Sequence, residues 1–197
     1  MSACKSFSLG LSCALSATLL ACASAAAADR YTIDPEHTYP SFEADHMGIS
    51  TWRGKFNRTT GTITLDRAAG TGTVEVAIDP ASIDFGHDVL NEHALGPDLL
   101  DTTRHPQASY RGTLREFRDG TPTRLVGQLT LHGVTRPVEL QVTGFKCVPH
   151  PILKREQCGA DVFGSFQRDD FGMDAGKDYG FDMTVDLRIQ VEALHDE

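Results

Sequence analysis

Beyond residue 28, apolar and polar residues alternate with a period of two along most of the chain. The longest such stretch is Leu125–Val142. In its first arm Leu125, Gly127, Leu129 and Leu131 alternate with Val126, Gln128, Thr130 and His132. In its second arm Val138, Leu140 and Val142 alternate with Glu139, Gln141 and Thr143. Successive side chains of a strand point to opposite faces, so each arm is a strand with one apolar face. Between the arms, Gly133 supplies backbone freedom and Pro137 begins a strand or sits on an edge. The two arms form an antiparallel hairpin that needs partners on one face only. A sandwich or barrel wall meets that need, and a parallel sheet does not.

The same pattern recurs on both sides. Tyr31–Thr38 is an extended lead-in turned by Pro35, and Ser41–Met47 is a strand with Phe42, Ala44 and His46 on one face. After a turn at Gly48-Ile49-Ser50, Trp52, Gly54 and Phe56 share a face, as do Ile63 and Leu65 in the next strand. Val74, Val76 and Ile78 follow, and strands resume at Ala108–Phe117 and at Ala160–Arg168. The chain closes on Phe181, Met183, Val185, Leu187, Ile189 and Val191. Two segments break the rhythm. Phe85–Pro106 carries Gly86, Gly96, Pro97 and the paired Leu99 and Leu100, with one helical turn expected at Asn91–Leu95. A loop of that length in a single domain is usually a lid or a binding element. Lys146–Gln157 reads as a polar excursion. The sum is an all-β domain of about eight strands without a long helix.

The N-terminus changes the picture first. Lys5 is the only charge ahead of Asp29, Phe7–Leu20 is apolar, and Ala21–Ala28 is almost all small residues. Residues 1–28 read as a secretory signal peptide, too short in its apolar run to span a membrane, with the mature domain over 29–197. Ala26-Ala27-Ala28 before Asp29 fits ordinary cleavage and a periplasmic product. The alternative is Leu19-Leu20-Ala21-Cys22, a lipoprotein signal that would leave the protein membrane-anchored through Cys22. The formal charge is −9 over the full chain, more negative by the loss of Lys5, and no basic run stands out. Nucleic acid is excluded as a partner on that ground. No apolar segment of spanning length follows Ala28. A homodimer is left open.

Cys147 and Cys158 are the two cysteines outside the signal. In an oxidising compartment two cysteines this close pair across a loop. A two-cysteine metal or redox site would need further ligands or a Cys-x-x-Cys spacing, and neither is present. No histidine sits in a His-x-x-x-His frame, so no metal site is expected, and no cofactor motif is found. There is no Gly-x-Ser-x-Gly elbow, no glycine-rich phosphate loop and no other catalytic constellation, so the chain reads as a non-enzyme. If it were an enzyme, His93 with Glu92 would be the place for acid–base work.

The motifs together resemble those of the YceI-like family of secreted polyisoprenoid-binding proteins. They are Ile33-Asp34-Pro35-Glu36-His37-Thr38, Phe42 through Ser50, Gly54-Lys55-Phe56, Ile78-Asp79-Pro80-Ala81-Ser82-Ile83, Asn91-Glu92-His93, Leu129–Val138 and Arg168-Asp169-Asp170-Phe171-Gly172-Met173. Two departures stand out. Asn91-Glu92 occupies a place where family members often carry Arg-Asp, and Leu99 and Leu100 stand where they tend to carry aromatic residues. The resemblance implies a lipocalin-like antiparallel β-barrel with a long lid-like loop. It also implies an isoprenoid lipid, such as a polyprenyl lipid or an isoprenoid quinone, held inside the barrel. The lumen would be lined by Phe42, Phe56, Val76, Ile78, Leu129, Leu131, Leu140, Phe166, Met183 and Val185. His93, Leu99, Leu100 and Arg168 would stand at the mouth or lid. From the pattern alone the same inward residues read as an ordinary dry core. Arg168, Asp169 and Asp170 read first as a local ion pair tying a turn. The competing functional readings are a stress-related structural barrel without a ligand and a lipid-modifying hydrolase or isomerase.

Overall fold

A computed structural model describes residues 28–197. The signal segment and Cys22 therefore lie outside the described residues. The alternating stretches become strands β1 (Asp29–Ile33), β2 (Tyr39–His46), β3 (Ser50–Phe56), β4 (Thr59–Asp66), β5 (Thr71–Ile78) and β6 (Ile83–Asp84). They continue with β7 (Ala108–Arg115), β8 (Arg124–Leu131), β9 (Val134–Pro149), β10 (Glu156–Gln167) and β11 (Thr184–His195). One α-helix, α1 (Asp88–Ala94), interrupts them. The strands form one antiparallel sheet in which β1, β4, β5, β7, β8, β9, β10 and β11 follow one another, and β1 returns to pair with β11. The ring is a closed eight-stranded β-barrel, as the resemblance implied; of the sandwich and the barrel that the alternation allowed, the chain forms the barrel.

The additional strands are continuations of barrel walls. β11 pairs along one edge with β2 through Val185–Gln190 and then with β1 through Ala193–His195. β3 pairs with β2 as β4 pairs with β1, and β6 pairs with β3 as β5 pairs with β4. Three walls are thus broken in mid-course, and the breaks are stitched together by polar side chains. Asp34 and Thr38 bond to the backbone of Glu192 across the first break, Thr38 through its hydroxyl. Asp79 caps the 3-10 turn Pro80–Ser82 by accepting from the Ala81 amide, and its carboxylate pairs with Arg58. Ser82 Oγ accepts from the Arg58 amide at 2.9 Å.

Inward residues are apolar and outward ones polar. Leu65, Val74, Leu125, Leu129, Val138, Leu140 and Val162 are all buried, whereas Glu75, Arg111, Gln128, Glu139 and Gln141 are exposed. A membrane-spanning barrel has the reverse, an apolar band facing out. Among the described residues no helix is long and apolar enough to cross a membrane. Gly112 and Gly127 face each other across β7 and β8. A Cβ on Gly127 would lie 2.7 Å from the Tyr110 ring. The missing side chains let that ring lie flat on the wall, with its hydroxyl donating to the Val138 carbonyl at 2.8 Å. Burial raises the Tyr110 phenol above its ordinary pKa, so it stays a donor.

Two expectations are corrected. Half of Lys146–Gln157 is strand, because β9 runs to Pro149 and β10 begins at Glu156, which leaves only residues 150–155 as an excursion. A register shift between Gly159 and Asp161 marks a bulge, and Gly144 opposite it has φ +60°. The extra residue flips the faces of β9. Val138, Leu140 and Val142 point inward before it, and Phe145 and Cys147 after it, so the alternation read from sequence breaks there. The helical turn expected at Asn91–Leu95 is α1, which starts earlier because His87 accepts from the Leu90 amide as its N-cap. Cys147 and Cys158 sit opposite each other on β9 and β10 and form a disulfide.

Candidate functional site

The barrel encloses a cavity of about 580 Å³. It runs from Tyr31, Phe145 and Cys158 near one end to Trp52, His93 and Arg168 at the other, where the Phe85–Pro106 loop and the 168–183 connection lie. Every residue expected in the lumen lines this cavity except Met183. Met183 is buried, but β11 pairing begins only at Thr184. The residue before the strand leaves the wall, and Met173 from the same connection reaches the cavity instead. The interior is hollow where a packed core was the alternative. An apolar cavity of about 150 Å³ already holds a benzene ring and stays dry. This one falls in the range of about 300–1,000 Å³ typical of small-molecule sites.

The mouth is aromatic. His46 stacks on Trp52 with centroids 4.0 Å apart, and Phe181 meets His46 edge-on at 5.3 Å. Phe85 contacts both Trp52 and Phe42, and Phe42 contacts Phe56. Phe85, which opens an irregular loop, and Phe181, which the alternation placed in the closing strand, were not among the residues expected to line the lumen. Gly54 makes the cluster fit: a Cβ there would lie 2.6 Å from the Phe42 ring.

Arg168, His93, Leu99 and Leu100 all border the cavity. Arg168 donates to the carbonyls of Met173 (2.7 Å) and Ala175 (2.5 Å). It has no carboxylate within ion-pair distance among the described residues, so the expected ion pair falls instead to Asp169 with Lys177 at 2.6 Å. Burial lowers the Arg168 pKa from its usual value; a guanidinium stays charged in proteins. The result is a half-buried cation that ties the 168–183 connection and faces the mouth. Leu100 is buried and Leu99 half-buried, while His93 is exposed on α1. Glu92 is exposed and is not among the residues that line the cavity, so the pair considered for acid–base work does not come together over it. Asn91 accepts from the Phe85 amide at 2.8 Å and latches α1 to the end of β6.

Few polar atoms interrupt the lining. Thr59 is 1 % exposed, and its Oγ1 has no hydrogen-bond partner among the described residues. It borders the cavity at the break between β3 and β4. No sequence signal marks it, since threonine is common in strands on either face.

A YceI-like domain matches residues 31–193. The chain belongs to the YceI-like family. It is 33% identical to protein YceI of Shigella flexneri over 182 residues, covering 90% of this chain and 93% of that one. A UPF0312 protein of Shewanella putrefaciens is 32% identical over 196 residues, covering 93% of this chain and 96% of that one. Among solved structures, BcnA of Burkholderia cenocepacia superposes with a TM-score of 0.67 at 19% identity, covering 81% of this chain and 98% of that chain. A polyisoprenoid binding domain from Saccharophagus degradans superposes with a TM-score of 0.60 at 16% identity, over 84% of this chain and 98% of that chain. At such identities the superpositions show the shared barrel fold.

Proposed function

We propose that the protein binds an isoprenoid lipid, a polyprenyl lipid or the tail of an isoprenoid quinone, in its barrel lumen. It would sequester or carry that lipid through the periplasm without chemical turnover. The observation that carries this reading is the apolar chamber of about 580 Å³ running along the barrel. Family membership supports it, and so does the fold shared with a domain described as polyisoprenoid binding. Burying a methylene is worth about 0.8 kcal/mol, so a dozen chain carbons supply roughly 8–10 kcal/mol before ordering costs. Affinity then comes from the chain, and the polar groups at the mouth select the headgroup. The signal expected over residues 1–28 and the Cys147–Cys158 disulfide agree with an oxidising compartment.

The test is native mass spectrometry of the mature protein isolated from its own periplasm, followed by organic extraction. A one-to-one adduct that extracts as a polyprenyl lipid or quinone is the expected result. A mass that is apo as isolated and stays apo after incubation with isoprenoids would overturn the reading.

A further inference from the structure

Where the Phe85–Pro106 loop meets the β8–β9 turn, Asp101, His105 and His132 converge. One nitrogen of each ring and one carboxylate oxygen of Asp101 lie within 4.8 Å of one another. The two imidazoles meet edge-on with centroids 4.7 Å apart. Asp101 and His105 belong to one helical turn, closed by the His105 amide donating to the Asp101 carbonyl at 2.8 Å. His132 comes from the β8–β9 turn. Gly133 beside it lets the His105 ring settle on that turn, since a Cβ there would lie 2.7 Å from His105 Cε1.

The hydrogen bond to His132 decides which of its ring nitrogens can hold an ion. Its Nδ1 lies 3.0 Å from the Phe171 carbonyl. A carbonyl only accepts, so Nδ1 carries the proton and the neutral ring presents a lone pair on Nε2. That Nε2 is buried and has no hydrogen-bond partner among the described residues. An imidazole held by a backbone carbonyl on one nitrogen, with a free lone pair on the other, is the arrangement found in metal-binding histidines. Asp101 is 5% exposed. Arg104 engages its Oδ2 and leaves Oδ1 without a hydrogen bond among the described residues.

We propose that Asp101, His105 and His132 form a binding site for one divalent first-row transition metal ion, best matched by Zn²⁺. Two imidazoles and a carboxylate are borderline ligands that suit zinc, with bonds of about 2.0–2.2 Å. Ligand atoms in such a tetrahedron lie about 3.3 Å apart, so closing the site moves each side chain by under about 1 Å. A fourth position is left for water. The ion would fasten the segment behind Leu99 and Leu100, which border the lumen, to the β8–β9 turn. Through the Phe171 carbonyl it would also be linked to the 3-10 turn Arg168–Phe171. The residues escape a motif search because Asp101 and His105 are distant in sequence from His132.

The test titrates Zn²⁺ calorimetrically into the untagged, disulfide-intact mature protein after chelator treatment, beside His105→Ala, His132→Gln and the exposed His37→Ala. One ion per chain is expected. Affinity should fall at least about 10-fold to 100-fold in the first two variants and stay unchanged in the third. Zn²⁺ should also slow hydrogen exchange of the amides at residues 99–105 and 132–134. Absence of binding at micromolar Zn²⁺, or equal affinity in His105→Ala, would overturn the proposal. If His132→Gln fails to fold, His105→Ala decides alone.

Discussion

Val76→Trp separates a hollow barrel from a packed one. Val76 lies on β5 opposite Tyr110 and borders the cavity. Though inward-facing, it is only half-buried. Tryptophan adds about seven heavy atoms, each displacing roughly one ligand carbon worth about 0.8 kcal/mol. The affinity for an isoprenoid chain should therefore fall by about 5 kcal/mol, more than a thousandfold. In a close-packed core the same insertion would cost at least about 1–3 kcal/mol of stability. In a chamber of about 580 Å³ the ring has room, and stability should change by less than about 1 kcal/mol. Urea unfolding gives the stability, and titration with a fluorescent isoprenoid analogue gives the affinity. Val126→Trp, outward-facing and 38 % exposed, controls for tryptophan in a strand and should leave binding intact. A loss of more than about 3 kcal/mol in Val76→Trp with binding unchanged would refute the reasoning, because the ring would then have met packed atoms and not lumen.

Other outcomes follow from single contacts. Thr59→Val removes a buried, unpartnered hydroxyl at almost constant shape, so chemical denaturation should show a gain of about 1 kcal/mol; a loss of that size would mean that the hydroxyl has a partner. Replacing Cys147 and Cys158 by serine reopens a loop with sequence separation 11, and the unfolding free energy should drop by about 3 kcal/mol on the chain-entropy model. Arg168→Ala deletes the donors to Met173 and Ala175, and hydrogen exchange should quicken through residues 173–183 while the barrel strands stay protected. Glu43 is held below the usual carboxylate range by hydrogen bonds from Arg53 and then Arg188, and Asp169 by its bond from Lys177. A lowered native pKa gives stability that is present above the ordinary value of about 4 and lost as pH falls through the native one. The melting temperature should therefore fall below about pH 4.5, and Glu43→Gln should make that fall shallower.

The barrel was legible because nearly every wall has one wet and one apolar face, and a period of two survives in Leu125–Leu131, Val74–Ile78 and Val185–Val191. Legibility failed where that physical condition failed. In Lys146–Gln157 the bulge at Gly144 exchanges the two faces of β9, so no single alternation runs through it. Met183 keeps the parity of β11 but precedes its pairing, so parity alone placed it in the lumen. The hollowness itself was not readable from the residues. Leu129 and Leu140 look the same in sequence whether they touch each other or an enclosed space, and the family resemblance supplied that distinction. Thr59 and the Asp101, His105 and His132 cluster depend on contacts between distant segments, which spacing along the chain does not record.

The three broken walls account for the asymmetry of the two ends. An unbroken barrel of inward apolar residues would taper into a closed core, as small eight-stranded barrels do when side chains fill them. Here β2, β3 and β6 carry the sheet past the breaks at residues 34–38, 57–58 and 79–82, and the extension holds Phe42, Trp52 and Phe56. β6 is two residues long, so the wall ends early and the chain from Phe85 crosses the mouth in place of a strand. The backbone polar groups exposed at that edge are met by side chains, as in the bond from the Phe85 amide to Asn91. β9, β10 and β11 run without a break from the mouth to the disulfide end, whereas the wall at the mouth closes on the two-residue β6. The segments with the fewest ladder bonds, residues 85–107 and 168–183, are then the ones expected to open first for a ligand to enter.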